Sequence, residues 1–186
     1  MPGLTNRWSQ PLAVVTSRFD FMKQFPVFAA LALASGGSAR SRWAAQHASM
    51  LPQAIAEPLT ESRDARGFVV EPLSLAQLTA QQNVHVVWTA AGAVRGNHHH
   101  VRGTEVALVL GPALVRYRDA NGIQDVEITK GTLYRFTFPP KVAHAFGALG
   151  PEPMFLVGFN TEIYDSEHPD AVPDHILGAD DIAKFV

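Results

Sequence analysis

Val94-Arg95-Gly96-Asn97-His98-His99-His100-Val101-Arg102-Gly103-Thr104-Glu105 is the stretch on which the reading of this chain turns. On an extended strand, successive side chains point to opposite faces. His98 and His100 therefore share one face, and His99 takes the other and is assigned no role. Arg102-Gly103 permits a bend, after which Glu105 enters on the neighbouring strand. Two imidazoles and a carboxylate on one wall suit a divalent first-row metal. The pair alone also has a plainer reading, because a His-x-His on a strand can be a surface pair or a hydrogen-bonded core pair.

Working outward, the grammar on both sides is that of short strands and turns. Val84–Thr89 alternates and is rich in β-branched residues. Ala93–Val101, Val106–Leu110 and Ala113–Arg118 follow, the last two separated by Gly111-Pro112. Asn121-Gly122 marks a hairpin turn. Val126–Thr129, Leu133–Phe138, Ala143–Leu149 and Met154–Asn160 continue the series. Ahead of them, Phe68-Val69-Val70 is strand-like, and Ser74 is placed to cap a helical turn running to Gln81. Short strands at this regular spacing predict an all-β sandwich or barrel. The tail from Tyr164 is polar and Pro-rich, and ends in a short helix predicted over Asp180–Phe185.

The first sixty residues read differently, which divides the chain into an extension, 1–60, partly helical or irregular, and a domain, 61–186. Phe25–Ala34 is a short apolar run preceded by Arg18 and Lys23 and followed by small residues, the outline of a secretory signal. Asp20, Pro26 and the long leading segment count against that outline. The alternatives are an extension outside the fold, with Met50 as a natural start, or a helix over Phe19–Ala34 packing on the domain or on a partner subunit.

Composition narrows the function classes. The 186 residues give room for one domain with a sizeable core. A net charge of −2 provides no basic field to hold nucleic acid. The chain has no cysteine, so disulfides, thiolate metal sites and cysteine nucleophiles are excluded. That absence fits a reducing cytoplasm, the expected location. No apolar run reaches the length of a membrane span. P-loop, dinucleotide-binding and nucleophile-elbow strings are missing as well.

Downstream of Glu105 come Gly111, Gly131 and then Pro139-Pro140-Lys141-Val142-Ala143-His144. Together with His98-x-His100 and Glu105, these segments resemble the two motifs of the cupins. The Glu105-to-Gly111 spacing is one residue short of the usual pattern, and Lys141 stands where the second motif usually has Gly. The resemblance implies a double-stranded β-helix, or jelly-roll barrel, with His98, His100, Glu105 and His144 as metal ligands. Zn, Fe, Mn and Ni are all compatible with that set.

A finer resemblance covers about Arg63 to Asp170. Asp64-Ala65-Arg66-Gly67-Phe68, Val94-Arg95-Gly96-Asn97-His98 and Phe138–Phe146 are similar to signatures of the deoxysugar 3,5-epimerase cupins, as is Asn160 to Asp170. Arg-Gly-Asn-His-x-His with its Glu also resembles the cupin domain of capsular-polysaccharide assembly proteins. These likenesses imply catalytic roles for His98 and His144, with Arg66 and Arg95 contacting a small substrate such as a nucleotide sugar. Lys141, on the loop leading into the His144 strand, is either a counter-charge to an anionic substrate or a plain solvated lysine. A homodimer is implied by the habit of small cupins. The chain departs from the epimerases at Leu156-Val157-Gly158-Phe159-Asn160, which lacks their tyrosine. A metal-bound His98 cannot also be a free base, so a related but different reaction is expected. The leading expectation is a metal-dependent epimerase or isomerase on a polar keto sugar. The alternatives are a metal-dependent dioxygenase or lyase on a small organic substrate, and a non-catalytic carbohydrate-binding module.

Overall fold

A computed structural model describes residues 51–185. The apolar run at Phe25–Ala34 and the helix expected over Phe19–Ala34 lie outside the described residues. In chain order the elements are β1 (Ile55–Pro58), β2 (Ser62–Asp64), β3 (Gly67–Val69), α1 (Leu75–Ala80), β4 (Asn83–Thr89), β5 (Val94–His100), β6 (Glu105–Leu110) and β7 (Ala113–Asp119). They continue with β8 (Gly122–Ile128), β9 (Leu133–Phe138), β10 (Ala143–Ala148), β11 (Met154–Asn160), β12 (Ala171–Pro173) and α2 (Ala179–Ile182).

Two five-stranded sheets form the domain, in the orders β1-β9-β6-β11-β4 and β12-β5-β10-β7-β8, with β2-β3 as a separate hairpin. Every pair is antiparallel. This is the jelly-roll barrel of the cupins, as expected. Alternating residues from both sheets meet between them: Ala107 and Val109, Val115 and Tyr117, Phe136 and Phe138, Phe146, Met154 and Leu156. Filling that space is what drives the sheets together, at roughly 1.5–3 kcal/mol for each fully buried large side chain.

Several local expectations hold. Ser74 caps α1 through a reciprocal capping box with Gln77, and β9 and β11 keep the bounds read from the sequence. The β7–β8 hairpin forms with Asp119 opposite Gly122, its apex one residue earlier than the Asn-Gly pair. Three strands were not anticipated: Ser62–Asp64, which forms the hairpin with β3, and two at sheet edges. Ile55–Pro58, inside the stretch expected as an extension, pairs with β9. Ala171–Pro173, in the tail, pairs with β5. Both are short edge strands joined through backbone groups, so neither shows the alternation that marks a half-buried strand. Among the described residues no helix is long and apolar enough to cross a membrane.

The pairing of β5 with β10 contains one irregularity. His98 lies opposite His144, but Gly96 lies opposite Ala145, so β5 carries one extra residue, Asn97. This is a β-bulge. Gly96 and Asn97 both have positive φ, 83° and 58°. A Cβ on Gly96 would stand 2.9 Å from the His144 carbonyl oxygen, so a side chain is excluded there. Asn tolerates the left-handed region better than most residues, and here it is also held by the tail. Its Oδ1 accepts from the Ile176 and Leu177 amides, each at 2.9 Å, and its Nδ2 donates to the Leu177 carbonyl at 2.9 Å. Leu177 and Ile182 then cover the outer face of β10 and β7, against Leu114, Ala145 and Leu149.

Lys141 is the other non-glycine residue with positive φ among the described residues, at 70°. Its amide donates to the His100 carbonyl at 2.7 Å, pinning the turn before β10 to the end of β5. This explains why the cupin motif usually has Gly at that position. Lys141→Gly is expected to raise the unfolding free energy by about 0.5–1 kcal/mol. Asn97→Ala is expected to lower it by about 2–4 kcal/mol, through three lost hydrogen bonds and the strained backbone. Urea unfolding of both variants checks the two signs.

Candidate metal centre and cavity

Three neighbouring strands deliver the site. β5 supplies His98 and His100, β6 supplies Glu105 at its first residue, and β10 supplies His144. One candidate ligand atom from each of the four lies within 4.8 Å of all the others. The ring centroids of His98 and His144 are 4.8 Å apart, those of His98 and His100 5.1 Å, and those of His100 and His144 5.7 Å. Glu105 is the carboxylate among these three imidazoles. Its Oε2 is 2.8 Å from His100 Nε2 and 3.4 Å from His144 Nε2.

The environment sets the protonation of this group. Burial opposes ionisation of Glu105, yet the His144 and His100 imidazoles facing it hold its carboxyl well below the usual carboxylate range. Burial, with the neighbouring His144, pushes the His98 imidazole down to about 4, so it is neutral at physiological pH. Neutral imidazole and ionised carboxylate are the forms that bind metals.

The orientation of His144 is fixed from behind. It is fully buried, and its ring stacks on Phe138 with centroids 4.4 Å apart. Its Nδ1 lies 3.0 Å from the Val142 carbonyl, the geometry of a donated hydrogen bond. That assigns the lone pair to Nε2, which is buried and has no hydrogen-bond partner. An orphaned nitrogen aimed at a buried carboxylate and two more imidazoles is the donor set of a divalent transition metal. The residues present therefore fit such an ion. Behind His100, Asp170 Oδ2 lies 3.5 Å from Nδ1, a charge neighbour without a hydrogen bond. Asp170 is itself held by the Gly103 and Arg102 amides, at 2.9 and 3.0 Å.

A cavity of about 500 Å³ opens beside the cluster. His98 and Glu105 face it, together with His85, Arg95, Val87, Phe146 and Leu156. Arg95 reaches this side only because of the bulge. Unbroken alternation would have turned it with His99 to the opposite face, whereas the extra residue sets Arg95 opposite the inward Phe146. Arg66 and Lys141 do not line this cavity. Arg66 lies in the β2–β3 turn, paired with Asp64, beside a groove formed by the hairpin itself. Lys141 is exposed on its turn. His99 points outward, with Nδ1 3.5 Å from Asp174.

Two residues at the site went unmarked in the sequence reading. Asp170 was quoted only as part of a tail motif. His85 was read as one polar position of an alternating strand, and only the pairing of β4 with β11 places it on the cavity wall.

Comparison with known proteins agrees with the fold. The family described as polysaccharide biosynthesis C-terminal domain matches residues 62–172. The 3,4-ketoisomerase QdtA from Thermoanaerobacterium thermosaccharolyticum, in complex with TDP, has a TM-score of 0.53 at 14% identity over 70% of this chain and 93% of that one. The dTDP sugar isomerase from Desulfovibrio desulfuricans G20 has a TM-score of 0.54 at 16% identity, covering 66% and 84%. The capsular polysaccharide assembling protein CapF from Staphylococcus aureus is 25% identical with a TM-score of 0.47, covering 64% of this chain and 35% of that one. This chain thus spans about a third of CapF. No curated protein sequence matches the chain.

The buried cluster makes the metal-free fold sensitive to acid. The His98 pKa falls from 6.5 to about 4 on folding, so the unfolded chain binds the extra proton between those values. Stability contributed by a neutral His98 is complete above pH 6.5 and is lost as pH falls toward 4. The lowered Glu105 acts in the same direction at lower pH, since its contribution is lost as the carboxylate protonates. Urea midpoints measured in chelator should fall from pH 7 to pH 4, and the slope should be shallower in His98→Asn.

Proposed function

The chain belongs to the polysaccharide biosynthesis C-terminal domain family, and from that premise we propose that it is a metal-holding cupin that shifts a proton beside the carbonyl of a polar, nucleotide-linked keto sugar. The observation that carries this reading is the His98–His100–Glu105–His144 cluster opening onto a cavity that also contains Arg95. The likeness to a ketoisomerase and a sugar isomerase supports it at the level of the fold.

In this reading His98, His100, Glu105 and His144 hold a divalent ion, and the catalytic contribution of His98 and His144 is made as its ligands. Bound there, the ion would supply a Lewis acid for the substrate's carbonyl oxygen. Arg95 makes no ion pair among the described residues, and its guanidinium is free to meet a diphosphate or a sugar oxygen. Phe146, Leu156 and Val87 give the cavity an apolar wall that limits water at the reacting carbons.

The test is elemental analysis of untagged protein beside two variants. We expect about one equivalent of a transition metal, lost in His98→Ala/His144→Ala and kept in His99→Ala. Retention by the double variant, or loss in the His99 variant, overturns the ligand set. With the metal present, label from D2O should enter the carbons flanking the ketone of TDP-4-keto-6-deoxyglucose. A metal-loaded chain that binds the nucleotide sugar without labelling it would instead be a carbohydrate-binding module.

The partner in this reading is a second copy of the chain. β4 is an edge strand, and its outward Val84, Val86 and Trp88 are each 58% exposed, with Phe155 of β11 beside Trp88. An edge with unpaired backbone groups and an apolar face suits antiparallel self-pairing. Val86→Glu/Trp88→Glu should convert a dimer to a monomer in analytical ultracentrifugation while leaving metal content unchanged.

A further inference from the structure

We infer that His85 is the residue that takes the proton from the substrate and returns it. The inference rests on the proton-shift reading above and names the group that performs the step.

Four ionisable side chains face the cavity: His85, Arg95, His98 and Glu105. His98 and Glu105 converge with His100 and His144. An imidazole whose facing nitrogen holds an ion has no lone pair left for a C–H bond, and Glu105 is buried with its Oε2 turned to His100 and His144. Arg95 stays protonated at any working pH. The phenol of the epimerases is missing from β11, whose sequence is Met-Phe-Leu-Val-Gly-Phe-Asn. His85 is left, and imidazole is the side chain whose proton affinity suits exchange near neutrality.

The placement of His85 is itself informative. It lies on the inward face of β4, half-buried, between Asn83 and the cavity-lining Val87. Its ring makes no hydrogen bond or ion pair among the described residues. A polar ring turned toward Leu156 and Phe146 with no partner gains nothing for the fold. Gly158 is directly opposite it on β11, and a Cβ there would stand 2.3 Å from His85 Nε2. The imidazole therefore reaches over the Gly158 backbone toward β6, the strand that begins with Glu105. Any side chain at position 158 would drive it off that path.

The step balances without a co-reactant. The neutral ring nitrogen takes the proton from the carbon beside the ketone. The C–H electron pair becomes the new C–C π bond, and the carbonyl π pair moves onto oxygen. The imidazolium then returns the proton to the same carbon, or to the former carbonyl carbon while the neighbouring hydroxyl becomes the new ketone and its proton passes to the former carbonyl oxygen, which becomes the new hydroxyl. Nothing is oxidised or reduced overall, and His85 ends neutral.

The experiment uses the metal-loaded full chain and TDP-4-keto-6-deoxyglucose in D2O, with mass spectrometry reading label at the carbons flanking the ketone. His85→Asn should lower kcat for exchange by about 100-fold or more with KM nearly unchanged, the signature of lost proton transfer. Metal content and melting temperature should match the wild type. Gly158→Ala retains the imidazole but displaces it, and should lower exchange by at least about 10-fold at equal metal content. Exchange by His85→Asn within about threefold of wild type overturns the inference, as does a loss that appears in KM alone. A wild-type chain that leaves the probe unlabelled overturns the proton-shift reading, and the role of His85 falls with it.

Discussion

One extra residue in β5 organises the functional end of this barrel. With Asn97 inserted opposite the step from His144 to Ala145, the side-chain phase of β5 reverses within the strand. Val94 packs outward against the C-terminal cover, Arg95 faces the cavity, and His98 and His100 face Glu105 of β6 and His144 of β10. A regular strand could place either the arginine or the histidine pair inside, but not both. The bulge needs left-handed backbone at two consecutive positions, which Gly96 allows by lacking a Cβ and Asn97 by the hydrogen bonds it makes to the tail. The tail is thus tied to the geometry of the site as well as to the outer face of the sheet.

The electrostatics of the cluster follow from how dry it is. Glu105 and His144 are buried, and a lone carboxylate there would be costly. The imidazoles that surround it remove that cost, while burial keeps His98 neutral. The Val142 carbonyl fixes the tautomer of His144 and leaves Nε2 without a protein partner. His98 and Glu105 are thus held neutral and ionised respectively, the forms in which such groups bind a cation. On the opposite wall, β4 and β11 offer an imidazole over a glycine instead of a phenol.

The two sheets treat their outer faces differently, and the difference has functional weight. On β10 and β7 the outer face is covered by Leu177 and Ile182 from the tail. On β4 and β11, Val84, Val86, Trp88 and Phe155 stay open to solvent. The covered face supports the bulge, and the open one belongs to the strand that carries His85 on its other side. An interface formed there would rigidify the wall of the cavity.

By itself the sequence marked the strand grammar and the four residues that the fold brings together in one cluster. Alternation in β4, β9 and β11, the capping serine and the Asn-Gly turn are local signals, and local physics suffices to read them. His98, His100, Glu105 and His144 were legible because a motif resemblance joined segments some forty residues apart. The tertiary structure decided what depends on pairing. β1 and β12 are edge strands whose only signal is a partner's backbone. The bulge is a mismatch in count between two strands, and neither strand records it alone. The positive φ of Lys141 follows from the turn it closes onto β5, and the place of His85 follows from the glycine opposite it. Side-chain periodicity is written in one segment, whereas register and the space across a sheet exist only when two segments meet.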